Sequence, residues 1–217
     1  MKYSTSDLLK EYRKLSTSML SDILSTEGLE GRVTYGFRQV LPGVTLVGVA
    51  ATVKISSGLY GDYDKSEVDF TKMYGEITAD SVLVVDNTGL PLANVGDMSS
   101  LYLKQLGAAG AVIDGGARDI DVIRELGFPV FARHFVPFSG AGKMHLVSVG
   151  RRVQCGGAHV SPGDIVVADG SGIVFIPAER AADILDTAIA MEEREKKVRD
   201  AILAGKSFTE AAHGVET

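Results

Sequence analysis

The sequence predicts a single α/β domain of layered β-sheets, with helices at its N-terminus and one long helix at its C-terminus. Three observations carry that expectation. Short apolar runs such as Ser81–Asp86 (SVLVVD) end in glycine-containing turns, as strands buried on both faces of a parallel sheet do. Helix-length segments alternate with those runs through the middle of the chain. Capped amphipathic segments precede the first strand, and a long segment opened by a proline follows the last.

Taken in order, Thr5, Ser6 and Asp7 can cap a first helix with Leu8, Leu9, Tyr12 and Leu15 on one side. Ser16, Thr17 and Ser18 start a second over residues 19–25, and Gly28 closes it. Asp22 reads as a solvated carboxylate of that helix. From Tyr35 the signals change: residues 39–43 run into a Pro-Gly turn, and residues 45–55 (TLVGVAATVKI) alternate and are β-branched, with Lys54 facing outward. Residues 56–64 read as a loop, 70–79 as a helix and Ser81–Asp86 as a buried strand. Leu101, Leu103 and Leu106 suit one buried helical face, and Gly107 and Gly110 stop it. Residues 111–113 form a short strand that Asp114, Gly115, Gly116 and Ala117 end. Residues 120–126 are a helix terminated by Gly127, and residues 128–133 a strand with Pro129 at its start or on an edge. Residues 147–153 and 165–176 read as strands, with turn signals at 161–164 and 169–172. Pro177 opens the last helix, over residues 181–204. Its charged half is expected to carry the i,i+4 pairs Glu192–Lys196 and Glu193–Lys197.

The 217 residues suffice for one sizeable domain and are few for two, and no linker or repeat divides them. Hydrophobic residues at 45% and charged residues at 23% are those of a folded soluble protein. A formal net charge of −6 without a basic block gives no reason to expect nucleic acid as a partner. The charged N-terminus and the lack of a long apolar run argue against a secretory signal and a membrane span, so the cytoplasm is the expected location. The lone Cys155 excludes an intramolecular disulfide framework, fits a reducing compartment and reads as a packed thiol rather than a nucleophile.

The chemistry concentrates in residues 96–119 (GDMSSLYLKQLGAAGAVIDGGARD). A glycine turn offers Gly96, Asp97, Met98 and Ser99. Arg118 and Asp119 stand together at the carboxyl end of a strand, where open α/β sheets place ligands. Arg118 presents a planar fork of donors that fits a carboxylate or an enolate oxygen. Asp119 presents hard oxygens that fit a divalent ion such as Mg2+. On a surface turn the same two residues would be an ordinary weak ion pair, and local composition alone does not choose. Lys104 reads as helix surface. His134, His145 and His159 match no metal-ligand spacing and are assigned structural or surface roles.

These residues resemble those of a known family, the proteins similar to the regulator of ribonuclease activity A, which includes the class II 4-hydroxy-4-methyl-2-oxoglutarate / 4-carboxy-4-hydroxy-2-oxoadipate aldolases. Ala93 followed three residues later by Gly96-Asp97 resembles one family motif. Residues 107–119 are similar to its G-x-x-G-x-V-x-D-G-x-x-R-D signature. Residues 125–133 resemble the segment that follows, and Pro162-Gly163-Asp164 with residues 169–174 the late P-G-D…D-x-x-G-V-V run. The resemblance spans about residues 16–205, the core of one domain covering 1–217. It implies a layered β/β/α sandwich and a lyase that releases pyruvate from 4-hydroxy-2-oxo acids with Mg2+ or Mn2+, and also decarboxylates oxaloacetate. Gly96, Asp97, Met98 and Ser99 would hold the 2-oxo acid substrate, Arg118 would stabilise the enolate, and Asp97 would help as a base. Asp119 would ligate the metal, and Glu192 or Glu193 of a neighbouring subunit would reach it through water. Trimers or paired trimers are implied. This chain departs from the family in Val95, where many members have Trp or Leu, and in the polar residues Ser99, Ser100 and Tyr102. The alternative is a regulatory binding protein that acts on a ribonuclease without catalysis, which has no need to keep the Gly96-Asp97 turn and the Arg118-Asp119 pair.

Overall fold

The computed structural model describes residues 2–63 and 70–214. Twelve strands appear among them: β1 (Val33–Thr34), β2 (Arg38–Gln39), β3 (Leu46–Ser57), β4 (Ser81–Asp86), β5 (Ala93–Val95), β6 (Gly110–Ala117), β7 (Val130–Phe135), β8 (Met144–Val149), β9 (Val153–Cys155), β10 (Ala158–Val160), β11 (Ile165–Ala168) and β12 (Ile173–Ile176). The helices are α1 (Thr5–Tyr12), α2 (Thr17–Thr26), α3 (Asp97–Gln105), α4 (Ile120–Leu126), α5 (Ala181–Leu203) and α6 (Phe208–His213). Ten strands form one mixed sheet whose main path is β1-β12-β11-β3-β4-β6-β7-β2, while β9 and β10 form a separate hairpin.

The long strand β3 organises the sheet. One edge pairs in parallel with β4 over Val49 to Lys54, while the other takes β11 near its start and β8 near its end. Because side chains alternate along a strand, each face acquires its own apolar core. Leu83 and Val85 of β4 join Ile113, Leu103, Ile123 and Phe128 beneath α3 and α4. Val82 and Val84 face the opposite way, toward Val112, Val166, Phe175 and the β9–β10 hairpin. Val167, Val174 and Ile176 pack against Leu20, Leu24, Ile184 and Leu185 of α2 and α5. The curled sheet thus encloses one core between strands and is covered by helices outside, which is the layered arrangement expected. Each fully buried Leu, Ile or Val in it contributes about 1.5–3 kcal/mol.

The helix ends follow local chemistry. Ser4, one residue before the expected cap, accepts from the Asp7 amide while Asp7 accepts from Ser4, a capping box. Ser16 caps α2, and Gly28 and Gly127 take positive φ where α2 and α4 end. Asp22 is exposed, as expected.

Several expectations are corrected. Residues 70–79 give only a 3-10 turn, Phe70–Tyr74, because Thr78 and Ser81 hydrogen-bond locally and Asp80 takes φ +62. Leu101 faces out of α3. The strand after Gly107 does not end at Ile113; β6 continues through Asp114, Gly115 and Gly116 to Ala117 because β5 and β7 pair along that extension. The run 147–153 divides into β8 and β9. Glu192 pairs with Arg199 at 3.6 Å, one helical turn beyond the Lys196 expected. Asp64, the last residue of the expected loop 56–64, lies outside the described residues.

Cys155 is completely buried, and burial beside the Asp114 and Asp86 carboxylates pushes its thiol well above the ordinary range. It is therefore expected to resist a thiol-titrating reagent at pH 8 in the native protein and to react fully in concentrated urea. Rapid native labelling counted by mass spectrometry would contradict this placement.

Candidate active site

The site is built where β5 and β6 end side by side. The Arg118 amide donates to the Val95 carbonyl at 3.1 Å, which fixes the chain leaving β6 against the chain entering α3. Gly96 is then the N-cap of α3, its amide donating to Ser99 Oγ at 2.8 Å while the Ser99 hydroxyl returns to the Gly96 carbonyl at 3.0 Å. The first-turn amides of α3 lie at the positive end of the helix dipole, a place suited to an anion.

Gly96 is glycine because of a close approach rather than a turn. Its φ of −147 is ordinary, but a Cβ there would lie 2.6 Å from Asp119 Oδ2 and 3.1 Å from Arg118 Cγ. The Arg-Asp pair presses onto the backbone of the glycine turn, so the two motifs, twenty-two residues apart, form one site. The Asp97 amide points at Asp119 Oδ2, 3.3 Å away, and Arg118 Nε stands 3.2 Å from the same oxygen. Asp119 itself holds φ +56 as the residue before α4, a conformation that costs a non-glycine residue energy and occurs at functional sites.

Both members of the pair are about 40% and 35% exposed, so their mutual attraction is worth little to stability. The two do form the ion pair that a surface turn would show, and its position on the glycine turn distinguishes it from an ordinary one. Met98 is 70% exposed, and Asp97 and Ser99 are half-buried.

A cleft of ≈ 280 Å³ opens here, lined by Gly96, Asp97, Met98, Ser99 and Arg118 together with residues that sequence reasoning missed. These include Tyr74, Asn94, Ser139 and Met144. Burial pushes the Tyr74 phenol above its ordinary pKa, against the opposing hydrogen bond with Ser99. Nothing in the local pattern of these four marks them, since they come from a 3-10 turn, a three-residue strand, the segment before β8 and the first residue of β8. Asp119 stands at the rim through its contacts with Gly96 and Arg118.

The other residues singled out in the sequence lie away from the cleft. Lys104 donates to the Leu126 carbonyl at the end of α4, a structural role. Lys54 faces outward as expected, half-exposed between the buried Val53 and Ile55, and pairs with the buried Asp86 at 2.7 Å. Glu192 and Glu193 lie on α5 and line no part of the cleft within one chain. His134 hydrogen-bonds the Gly89 carbonyl at 2.8 Å, and His145 stacks on Tyr63. Among the described residues no group of three or more His, Cys, Asp or Glu gathers as a metal cage.

Lys54 and Asp86 belong to a second concavity on the opposite face of the same strand ends. Lys54, Asp86 and Asp114 are register partners across β3, β4 and β6, and Arg133 of β7 closes the row at 2.9 Å from Asp114. Its charges pair with one another, so this row seals the end of the inter-strand core.

Fold and cleft together define an α/β protein with a small polar crevice at the carboxyl ends of parallel strands. The chain belongs to the RraA-like family, described as Aldolase/RraA, whose model matches residues 17–175. Over 209 residues it is 29% identical to a Halalkalibacterium halodurans protein with the provisional name 4-hydroxy-4-methyl-2-oxoglutarate aldolase, covering 94% of each chain. The structure of an uncharacterised protein from Pseudomonas syringae pv. tomato superposes with a TM-score of 0.87, at 31% identity, covering 97% of this chain and 95% of that one. A Streptomyces coelicolor structure, described as an unusual member of the RNase ES inhibitor RraA family, superposes with a TM-score of 0.79 at 27% identity, covering 92% and 98%. No described helix is long and apolar enough to cross a membrane.

Proposed function

We propose that this protein is a divalent-metal-dependent carbon–carbon lyase that releases pyruvate from 4-hydroxy-2-oxo acids and decarboxylates oxaloacetate. The observation that carries the reading is the contact of Arg118 and Asp119 with Gly96 at the start of α3. A regulator that only binds a protein partner needs no arginine, carboxylate and helix-start amides converging on a cleft of small-molecule size. The provisional name of the Halalkalibacterium relative supports the same reading. The likeness to the ribonuclease-inhibitor structure is the observation on the other side.

The donor set suits a hard cation that keeps most of its waters. Asp119 offers one half-exposed carboxylate, with only Oδ2 engaged by Arg118 and the Asp97 amide. Mg2+ and Mn2+ accept such a site, whereas a dry cage of several protein ligands would suit neither the exposure nor the residue count. When bound, the ion would draw electron density from the 2-oxo acid as the carbon–carbon bond breaks.

The chain's own residues supply the rest. The start of α3 receives the substrate's 2-oxo acid end, its amides turning to it from their present partners, Ser99 Oγ, Asp119 Oδ2 and Asp97 Oδ1. Arg118 binds and stabilises the oxygen on which enolate charge collects as C3–C4 cleaves. In retro-aldol cleavage Asp97 takes the proton of the 4-hydroxyl, C3–C4 breaks as the carbonyl product leaves, and the pyruvate enolate is protonated at C3. In oxaloacetate CO2 leaves instead, and the same enolate forms. No described lysine lines the cleft, so no Schiff base is invoked. We further propose that a neighbouring subunit of a trimer or hexamer brings Glu192 or Glu193 to the waters of the ion, and that the protein works in the cytoplasm.

The test is pyruvate release from oxaloacetate and from a panel of 4-hydroxy-2-oxo acids, coupled to lactate dehydrogenase. Removal of metal with EDTA should abolish it, and Mg2+ or Mn2+ should restore it. Absence of pyruvate from every substrate with metal present would leave the regulator reading standing.

A further inference from the structure

Both reactions of the proposed lyase end with a proton arriving at C3 of the pyruvate enolate, and that proton needs a donor. Asp97 gains a proton in retro-aldol cleavage, but oxaloacetate has no 4-hydroxyl, so Asp97 gains none there to give. An arginine does not release its proton in a protein, and a serine hydroxyl is a far weaker acid than a phenol. Among the described residues that line the cleft, this leaves Tyr74.

Tyr74 ends the 3-10 turn Phe70–Tyr74 and is held by α3 at two points. Its ring meets the Tyr102 ring edge-on, with centroids 5.3 Å apart, and its hydroxyl hydrogen-bonds Ser99. Ser99 and Tyr102 stand three residues apart and so share one face of the helix. A hydroxyl has one hydrogen to give and two lone pairs to accept with. The Ser99 hydrogen goes to the Gly96 carbonyl at 3.0 Å, and its oxygen takes the Gly96 amide at 2.8 Å. Toward Tyr74 it can only accept, so the phenol is the donor, two hydrogen bonds from the Gly96 amide.

The Ser99 hydroxyl can also reverse. When the phenol loses its proton, Ser99 O–H turns from the Gly96 carbonyl to the phenolate. The carbonyl keeps the Ser100 amide at 3.0 Å, so no backbone group is orphaned. Burial raises the phenol above its ordinary range, which keeps it protonated at neutral pH.

We propose that Tyr74 is the catalytic acid that protonates the pyruvate enolate at C3, with the Ser99 hydroxyl turning to stabilise the phenolate left behind. This rests on the lyase reading given above. The Tyr74 O–H bond breaks, the electron pair of the enolate C2–C3 double bond forms the new C3–H bond, and the 2-oxo group is restored. In retro-aldol cleavage the phenolate regains, through water, the proton that Asp97 took from the 4-hydroxyl. In decarboxylation it takes one from solvent.

The step can be read alone, because exchange of the methyl hydrogens of pyruvate is its reversal and return. Wild type with Mg2+ in D2O should replace those hydrogens by deuterium, followed by proton NMR. Tyr74→Phe keeps the ring against Tyr102 and should slow exchange at saturating pyruvate about 10²- to 10⁴-fold. Oxaloacetate consumption by the same variant should fall much less, because CO2 leaves before the proton arrives and the enolate can escape to solution. Ser99→Ala, which leaves the phenol in place, should slow exchange about tenfold. Exchange at the wild-type rate in Tyr74→Phe would overturn the assignment and make water the donor. A loss that more pyruvate restores, or an equal loss of exchange and oxaloacetate consumption, would also overturn it, since either marks a binding role. If thermal unfolding shows that Tyr74→Phe does not fold, Ser99→Ala decides, and unchanged exchange there overturns the proposal. Wild type that releases pyruvate but exchanges nothing would overturn it while leaving the lyase intact. Neither release nor exchange in wild type would mean that the lyase reading itself has failed, and the Tyr74 assignment with it.

Discussion

Arg118→Ala is expected to lower kcat for pyruvate release by about 10²- to 10³-fold, the usual cost of removing a donor from a developing oxyanion. Its backbone is pinned by the Val95 carbonyl at 3.1 Å, and its Nε is spent on Asp119 Oδ2 at 3.2 Å. The terminal nitrogens have no partner among the described residues and are free for the substrate's oxygens. Arg118→Lys should recover little, because an ammonium keeps the charge and loses the fork that serves Asp119 and substrate together. Asp119→Ala should match metal removal in effect, and EDTA should cost the Asp119→Ala protein nothing further. Stability should hardly move in Arg118→Ala, and Asp119→Ala should lose only the roughly 1 kcal/mol that Ala costs over Asp at φ +56. Steady-state kinetics beside thermal unfolding separates the two quantities. Activity within threefold of wild type for Arg118→Ala would remove this crevice as the reactive site.

The same pair shows how far the sequence could be read. Arg118 and Asp119 declared themselves by standing after a double glycine at a strand end, and the Gly96 turn by its composition. Their contact with one another was not legible, since it depends on β5 pairing in parallel beside β6, and β5 is three residues long. A three-residue strand has too few side chains to show a period. The far wall was illegible for a related reason: Asn94 and Met144 are fifty residues apart and meet only through the packing of β8 on β3. Strands of four or more apolar residues, such as β4 and β11, were plain. So were the helices with a serine cap or a proline start. The 3-10 turn at Phe70–Tyr74 was misread as a helix because apolar spacing does not report local side-chain hydrogen bonds that compete with the helix. The pairing of the outward-facing Lys54 with Asp86 was not legible, because β-alternation gives the face of a residue, not the partner it meets there.

Asp114→Ala is expected to be the most destabilising single change at the strand ends, by about 3–5 kcal/mol, the range for removing one partner of a buried ion pair. Asp114 is 6% exposed, accepts from Arg133 Nε at 2.9 Å and from the Gly156 amide at 2.7 Å. Its loss would leave the Arg133 guanidinium, stacked on Phe37, without its anion, and the Gly156 amide without an acceptor. Asp114→Asn keeps the shape and one acceptor oxygen and should cost clearly less. This separates two meanings of acidic residues that lie five positions apart in one motif. Asp114 holds β6, β7 and the β9–β10 hairpin together at the end of the inter-strand core, whereas Asp119 stands at the rim of the cleft against Gly96 and Arg118. Urea unfolding should therefore show a large drop in midpoint for Asp114→Ala and only a small one for Asp119→Ala, from the positive φ at that position. Activity per folded molecule should show the reverse. If Asp114→Ala unfolds like wild type, the charged row is not the seal of the core, and its concavity would have to be reconsidered as a second binding site.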